Sequence, residues 1–123
     1  MTNNKIGDNL IVNLSFNFAL RIVELAEELQ NRRKFAVANQ LLRAGTSIGA
    51  NVWESQNSES RKDFIHKIKI AAKEGDETEF WLLLCKHSNN YPDPGTLLDD
   101  LESIKKVLNK IITTSRKGLT MHR

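Results

Sequence analysis

The 123-residue sequence is poor in the residues that mark several protein classes. Its one cysteine, Cys85, cannot form a disulfide within the chain, which is typical of a reducing cytoplasm. No run of about eighteen apolar residues occurs, and no apolar stretch follows a basic start near Met1, so we expect neither a membrane span nor a signal peptide. The only prolines, Pro92 and Pro94, lie close together, so the strongest helix breaker is confined to one place.

The composition is that of an ordinary globular domain, with 40% hydrophobic and 27% charged residues. A chain of this length fits one domain, which buries roughly two thirds of the surface that its unfolded form exposes. Eighteen Lys and Arg residues against fifteen Asp and Glu give a net charge of +3. This balance permits weak attraction to RNA, DNA or an acidic partner but does not identify one.

Apolar residues at helical spacing predict a first and a last helix. We expect the first to run from Asn13 or Ser15 to Gln30, after a flexible N-terminus, 1–12. We expect the last to follow the prolines and to fade after Ser115 into a basic tail, 116–123. The stripes that support these two helices are Phe18, Ile22, Leu25 and Leu29, and Leu97, Leu101, Ile104, Leu108 and Ile111.

The third helix carries the strongest periodic signal. Ser60 followed by Asp63 resembles a capping box, with the hydroxyl accepting a free amide and the acid placed in the positive first turn. Alternating four- and three-residue steps then make a heptad seam that ends before Ser88: Phe64, Ile68, Ala71, Gly75, Thr78, Leu82 and Cys85. A broad apolar surface on this helix predicts contacts on two sides.

The second helix contains unusually many small residues, and we call it the lean helix. It follows a short polar connection, 31–34, and places small residues, Ala44, Gly45, Gly49 and Ala50, within an apolar helical pattern. Each glycine costs a helix up to about 1 kcal/mol relative to alanine, so we expect close packing to compensate. Four helices with short connections and no strand pattern predict an all-α, antiparallel up-and-down four-helix bundle over 13–115.

Three stretches of the sequence, 41–52, 63–67 and 73–82, resemble the bacterial four-helix-bundle proteins encoded in intervening sequences of 23S rRNA genes. The resemblance extends over 16–112. It implies a small cytoplasmic bundle that assembles as a ring-shaped homopentamer, with no established enzymatic activity. The family is also similar to the accessory variability proteins of diversity-generating retroelements, basic pentamers that bind nucleic acid and a reverse transcriptase. The implied partners are therefore further copies of the chain, RNA or DNA, and a reverse transcriptase or another protein.

A polar edge on the lean helix is the clearest candidate for a structural network or a subunit boundary. Arg43 needs an acidic partner if it is buried, and we expect that partner on the third helix, within or between subunits. Large aromatic residues, Phe80 among them, are the predicted anchors of a subunit contact. The residues assigned to the network or the oligomer interface are Arg43, Gly45, Ser47, Gly49, Asn51, Trp53, Glu74, Glu77, Glu79 and Trp81.

Catalytic and metal sites have little support. Glu74, Glu77 and Glu79 lack the Glu-x-x-His spacing of carboxylate-bridged metal sites in bundles, so we expect no metal and no cofactor. Arg61 and His66 resemble the short signature of helical RNases that use histidine for proton transfer. A metal-independent RNase is therefore the alternative to a non-enzymatic binding protein. A third possibility is a protein that folds and assembles but has no ligand for which it was selected.

Basic residues cluster in one connection and on the last helix. In an oligomer each cluster is repeated, and repeated weak phosphate contacts add to a useful, salt-sensitive affinity. The residues predicted to contact nucleic acid are Arg32, Arg33, Lys34, Lys105, Lys106, Lys110, Arg116 and Lys117. The sequence thus favours a non-enzymatic homo-oligomeric scaffold that binds RNA or DNA weakly.

Overall fold

A computed structural model describes the backbone of residues 9–121 and the side chains of residues 9–117. The described chain forms four helices and no strand: α1, Leu10–Asn31; α2, Phe35–Ser55; α3, Arg61–His87; and α4, Leu97–Met121. Each helix packs against the next, and α1 also contacts α4 and closes the bundle. The predicted four-helix, all-α fold is confirmed.

The first helix begins at Leu10 rather than at Asn13 because Asn9 caps it. The Asn9 side chain accepts a hydrogen bond from the amide of Val12 at 3.3 Å. This satisfies one of the amides that a helix start leaves without a partner. The predicted flexible segment, 1–12, therefore includes helical residues, and residues 1–8 lie outside the described part of the chain.

The last helix continues beyond Ser115 to Met121, so the predicted basic tail, 116–123, is helical over most of its length. Residues 122 and 123 lie outside the described backbone. The predicted fading rested on the loss of apolar residues, but a helix continues without a buried face where its residues have adequate propensity.

The predicted start of α3 is confirmed. Ser60 caps the helix by accepting a hydrogen bond from the amide of Asp63 at 3.0 Å, and Asp63 lies in the first turn. The break after α3 uses two residues in the left-handed region, Asn90 and Gly95, with φ of 65° and 61°. Asparagine and glycine are the residues that tolerate this conformation best.

The core follows the predicted stripes of all four helices. Ile22 on α1, Leu41 on α2, Leu82 on α3 and Leu108 on α4 are fully buried. The heptad seam of α3 is buried from Ile68 to Cys85, and only its first residue, Phe64, stays partly exposed. Burying each large aliphatic side chain contributes about 1.5–3 kcal/mol, so the shared core stabilises the bundle.

The glycines of α2 allow α1 to approach closely. A Cβ atom added to Gly45 would lie 2.7 Å from Cγ2 of Ile22, and one added to Gly49 would lie 3.1 Å from the carbonyl oxygen of Ser15. Both neighbours belong to α1 of the same chain. The predicted close approach is present, and Gly45 is buried inside the bundle against α1.

None of the four helices, over the residues described, is long and apolar enough to cross a membrane.

Candidate functional site

An ion-pair network joins α2 to α3. Arg43 lies on the surface of α2 and donates hydrogen bonds to Glu74, at 3.3 Å, and to Glu77. Trp81, one turn after Glu77, donates its indole N–H to the same carboxylate at 3.1 Å. The predicted pairing of Arg43 with an acid of α3 is therefore present, and it lies within one chain.

The network perturbs the ionisation of its members. The hydrogen bond from Arg43 is the main cause of a lowered pKa at Glu77, and the indole of Trp81 lowers that pKa further. The same hydrogen bond raises the pKa of Arg43 above its usual value. Hydrogen bonds that favour a charged form shift a pKa in this direction. The network therefore fixes the α2–α3 boundary most firmly when Glu77 is ionised.

The other residues of the predicted polar edge form their hydrogen bonds within α2. The hydroxyl of Ser47 donates to the carbonyl of Arg43 at 2.6 Å, and the amide of Asn51 donates to the carbonyl of Ser47 at 2.9 Å. These are local side-chain to backbone bonds. They support a structural role for Ser47 and Asn51.

Glu79 has a partner that the sequence did not indicate. Lys105 of α4 lies 3.0 Å from Glu79 and 2.8 Å from Asp76, so one lysine joins two acids of α3. The hydrogen bond to Asp76 is the main cause of a raised pKa at Lys105, and Glu79 adds to it. The contact of Lys105 with nucleic acid stays a prediction, and in this structure the ammonium group is engaged between two carboxylates.

An apolar groove lies between α1 and α2 on the outside of the bundle. It is lined by Phe16, Ala19, Thr46, Gly49, Ala50 and Trp53, and we call it the α1/α2 groove. Its rings are Phe16 and Trp53, with centroids 6.4 Å apart, and its floor is made by the small residues. Leu20 and Val23 continue this apolar face along α1 and are exposed.

A second apolar surface projects from α3. Phe80, Leu83 and Leu84 form what we call the α3 ridge, and Phe80 leaves 55% of its surface exposed. The Phe80 ring stands edge-on to Trp81, with centroids 5.1 Å apart. Trp81 itself is half-buried against the core and is held by Glu77. The ridge is therefore a fixed projection of the bundle.

The groove lies between α1 and α2, whereas the ridge lies on α3. The ion pairs of Arg43 with Glu74 and Glu77 cross the α2–α3 boundary. Neither surface covers the other within a chain. Contiguous exposed apolar patches on a globular protein commonly mark interaction sites.

The sequence assigned Trp53, Phe80 and Trp81 to such contacts but missed Phe16, Leu20 and Val23. Their steps of four and three residues were a usable signal, since they define a face of α1 apart from its core stripe.

The remaining basic residues do not form one patch. Arg32, Arg33 and Lys34 lie in the α1–α2 connection, where Arg32 pairs with Glu28 at 2.9 Å and Lys34 lies over the ring of Tyr91. In an antiparallel bundle this connection lies at the end opposite the C-terminus of α4. The predicted nucleic-acid contacts are thus divided between two ends of the bundle.

The cations of α4 differ in their availability. Lys106 lies 3.7 Å from Glu102, one turn away, with both side chains mostly exposed. Lys110 borders an apolar cleft beside Phe64 and Ile111. Arg116 and Lys117 are exposed near the end of the described side chains. None of the ion pairs among residues 9–117 involves Lys110 or Lys117.

The residues of the RNase alternative lie near the start of α3. Arg61 is its first residue, and both Arg61 and His66 are exposed. Neither side chain takes part in a hydrogen bond or an ion pair among the described residues. Proton transfer by a histidine requires that its ring be positioned against the substrate.

Comparison with known proteins finds a protein family and a solved structure that match this chain. Residues 7–110 match the model of the 23S rRNA-intervening sequence protein family. The chain belongs to this family. A protein of unknown function from the S23 ribosomal protein family of Bacteroides thetaiotaomicron, known from a crystal structure, is 42% identical to this chain. The match covers 83% of this chain and 97% of the other, with a TM-score of 0.78.

No curated protein matches the chain. The part that matches the 23S rRNA-intervening sequence protein family includes the α1/α2 groove, the α3 ridge and the Arg43 network. Arg116 and Lys117 lie beyond it. The family match therefore covers the apolar surfaces and the structural ion pairs but not the last cations of α4.

Proposed function

We propose that this protein is a non-enzymatic homo-oligomeric scaffold of the cytoplasm. The observation that carries the proposal is the exposure of Phe80 and its neighbours on α3, together with a separate apolar groove between α1 and α2. Leaving large apolar side chains in water forgoes about 1.5–3 kcal/mol for each one that a partner would bury. Self-association is the simplest way for a single chain to cover both surfaces.

The proposed assembly is a ring of five copies. The pentamer comes from the resemblance of the sequence to its family, and two different apolar surfaces per chain support a cyclic arrangement. Subunits that use different surfaces toward their two neighbours form a ring when the rotation closes. Rings of this kind present each surface feature several times, which suits a scaffold.

A non-enzymatic role is supported by the chemistry of the exposed side chains. Arg61 and His66 are exposed at the start of α3 and lack partners that would orient them. Over the described part of the chain, no group of three His, Cys, Asp or Glu residues is placed to hold a metal ion. We therefore favour a binding protein over the RNase alternative.

Weak binding of RNA or DNA is the second part of the proposal. Lys110 and Lys117 are exposed on α4, outside the ion pairs of the described residues, and Lys106 has only an exposed partner one turn away. Exposed pairs of this kind contribute little and exchange readily for a phosphate. A ring repeats these cations on every copy, which increases the combined affinity.

Sedimentation velocity at micromolar concentration tests self-assembly. We expect the unmodified chain to sediment as one oligomer and Phe80→Arg to shift it to monomers, because a charge on the ridge opposes burial. Leu10→Arg is the matched control, since Leu10 is 62% exposed but lies outside both surfaces. A monomeric unmodified chain, or an equal effect of both substitutions, contradicts the proposal.

A further inference from the structure

We propose that the α3 ridge of one copy seats in the α1/α2 groove of the next copy. This inference rests on the proposed self-assembly and names the contact that produces it. The occupant of the groove is a second copy of this chain. Each copy then uses its groove toward one neighbour and its ridge toward the other.

The shapes of the two surfaces are complementary. The groove offers about 280 Å³ of open space among apolar side chains. A cavity of about 150 Å³ accommodates a benzene ring, so the groove has room for the ring of Phe80 with part of an adjacent leucine. Gly49 and Ala50 keep its floor low, and the rings of Phe16 and Trp53 make one wall.

The ridge is held in position before any contact forms. Phe80 packs edge-on against Trp81, and Trp81 is fixed by its hydrogen bond to Glu77. Arg43 holds Glu77 in turn. A side chain that is already ordered loses little conformational entropy on binding, which favours association.

The charged side chains of the described chain that take part in no ion pair differ in sign around the two surfaces. Beyond Leu20 and Val23, the outer face of α1 carries Glu24 and Glu27, which take part in no ion pair among the described residues. On either side of the ridge along α3 lie the lysines without such pairs, Lys69, Lys73 and Lys86.

Each of the acids nearest the ridge already has a cationic partner within the chain, although two acids share each cation. Lys105 pairs with Asp76 and Glu79, and Arg43 pairs with Glu74 and Glu77. The charged side chains outside these ion pairs are therefore lysines beside the ridge and glutamates beside the groove. Complementary charges of this kind select the partner and its register.

The distance between a charged residue and an apolar residue is the same on the two surfaces. Glu27 follows Leu20 by seven residues on α1, and Lys73 precedes Phe80 by seven residues on α3. At 1.5 Å per residue, both separations are about 10 Å. When Phe80 lies in the groove beside Leu20, an antiparallel α3 brings Lys73 opposite Glu27.

A mixing experiment tests this pairing directly. Ala50→Arg fills the groove and leaves the ridge intact, whereas Phe80→Arg charges the ridge and leaves the groove intact. Both positions are exposed, so both variants should retain the bundle, which circular dichroism checks. We expect each variant alone to be a monomer. Mixed in equal amounts, they should form a 1:1 dimer and nothing larger, because only one intact groove and one intact ridge remain to pair.

The outcomes separate this inference from the proposed function. If the unmodified chain is an oligomer but the mixed variants stay monomeric, the groove and ridge contact is refuted while self-assembly stands. If the unmodified chain is a monomer, both fail. As a second measurement, Glu27→Lys should weaken assembly at least tenfold, and Glu27→Lys combined with Lys73→Glu should restore it. Failure of that rescue refutes the stated register.

Discussion

Gly45 of α2 lies so close to Ile22 of α1 that a Cβ atom on the glycine would be 2.7 Å from Cγ2 of the isoleucine. Real Cβ atoms do not approach carbon this closely, so either the isoleucine or the helix would have to move. Ile22 is fully buried, and protein cores are close-packed. The absence of a side chain at Gly45 therefore sets the separation of α1 and α2, and with it the width of the groove on their outer face.

Gly45→Ala is predicted to destabilise the bundle. Overpacking a filled core costs about 1–3 kcal/mol, which exceeds the gain of about 1 kcal/mol that alanine gives a helix. Gly75→Ala is the matched control on α3, since its Cβ would lie 3.5 Å from the flexible side chain of Lys105. Chemical denaturation should place Gly45→Ala below Gly75→Ala by about 1–3 kcal/mol. Equal stabilities would show that Gly45 has no packing role.

Acid sensitivity is predicted for the Arg43 network. The folded-state pKa of Glu77 is lowered by Arg43 and then by Trp81, so the stabilisation is complete above the ordinary glutamate value near 4.5. It is lost as the pH falls below that value toward the folded pKa. Glu77→Gln should be less stable than the unmodified chain at pH 7 and should lose less on acidification. Denaturation midpoints between pH 6 and pH 3 measure both effects.

Glu102→Gln is the matched control for this experiment, because Glu102 pairs only with the exposed Lys106 at 3.7 Å. Its acid dependence should follow that of the unmodified chain. Parallel curves for Glu77→Gln and the unmodified chain would contradict a role for Glu77.

The thiol of Cys85 is predicted to be inert in the folded protein. Cys85 is buried in the α3 seam, and burial raises the pKa of its thiol. Only the thiolate reacts rapidly with disulfide reagents. Labelling with such a reagent should be slow in the native state and fast in denaturant, and its rate should follow the unfolding equilibrium. Rapid labelling under native conditions would show that this part of α3 opens.

Nucleic-acid binding is predicted to depend on Lys110 and Lys117 rather than on Lys105. Replacing the first two with glutamine should weaken binding of a labelled RNA and reduce the dependence of affinity on salt, since phosphate contacts release bound ions. Lys105→Gln is the control, because its ammonium group is engaged by Asp76 and Glu79. A larger loss of affinity for Lys105→Gln than for the double variant would reverse this assignment.

Much of the fold was predictable because the apolar spacing is regular. The buried seam of α3 and the stripes of α1 and α4 follow from residue periodicity alone, and the capping role of Ser60 follows from its position three residues before Asp63. The pairing of Arg43 with an acid of α3 was also predicted, but from the premise of a buried guanidinium, whereas the side chain is exposed.

Other features depend on which helices meet. Helical spacing shows that Gly45 faces a neighbour, but it does not show whether that neighbour is in the same chain. The run 80–84 is continuously apolar, so its sequence does not show which of these side chains face the core. The exposure of Phe80 became clear only once the neighbouring helices were placed. The engagement of Lys105 likewise joins residues of two helices that are far apart in the sequence.

The most direct test of self-assembly is the mass of the native particle. Native mass spectrometry of the unmodified protein at micromolar concentration should show an assembly of five 14.0 kDa chains. Phe80→Arg should show single chains under the same conditions. A single-chain mass for the unmodified protein would contradict the claim that its exposed apolar surfaces are covered by further copies.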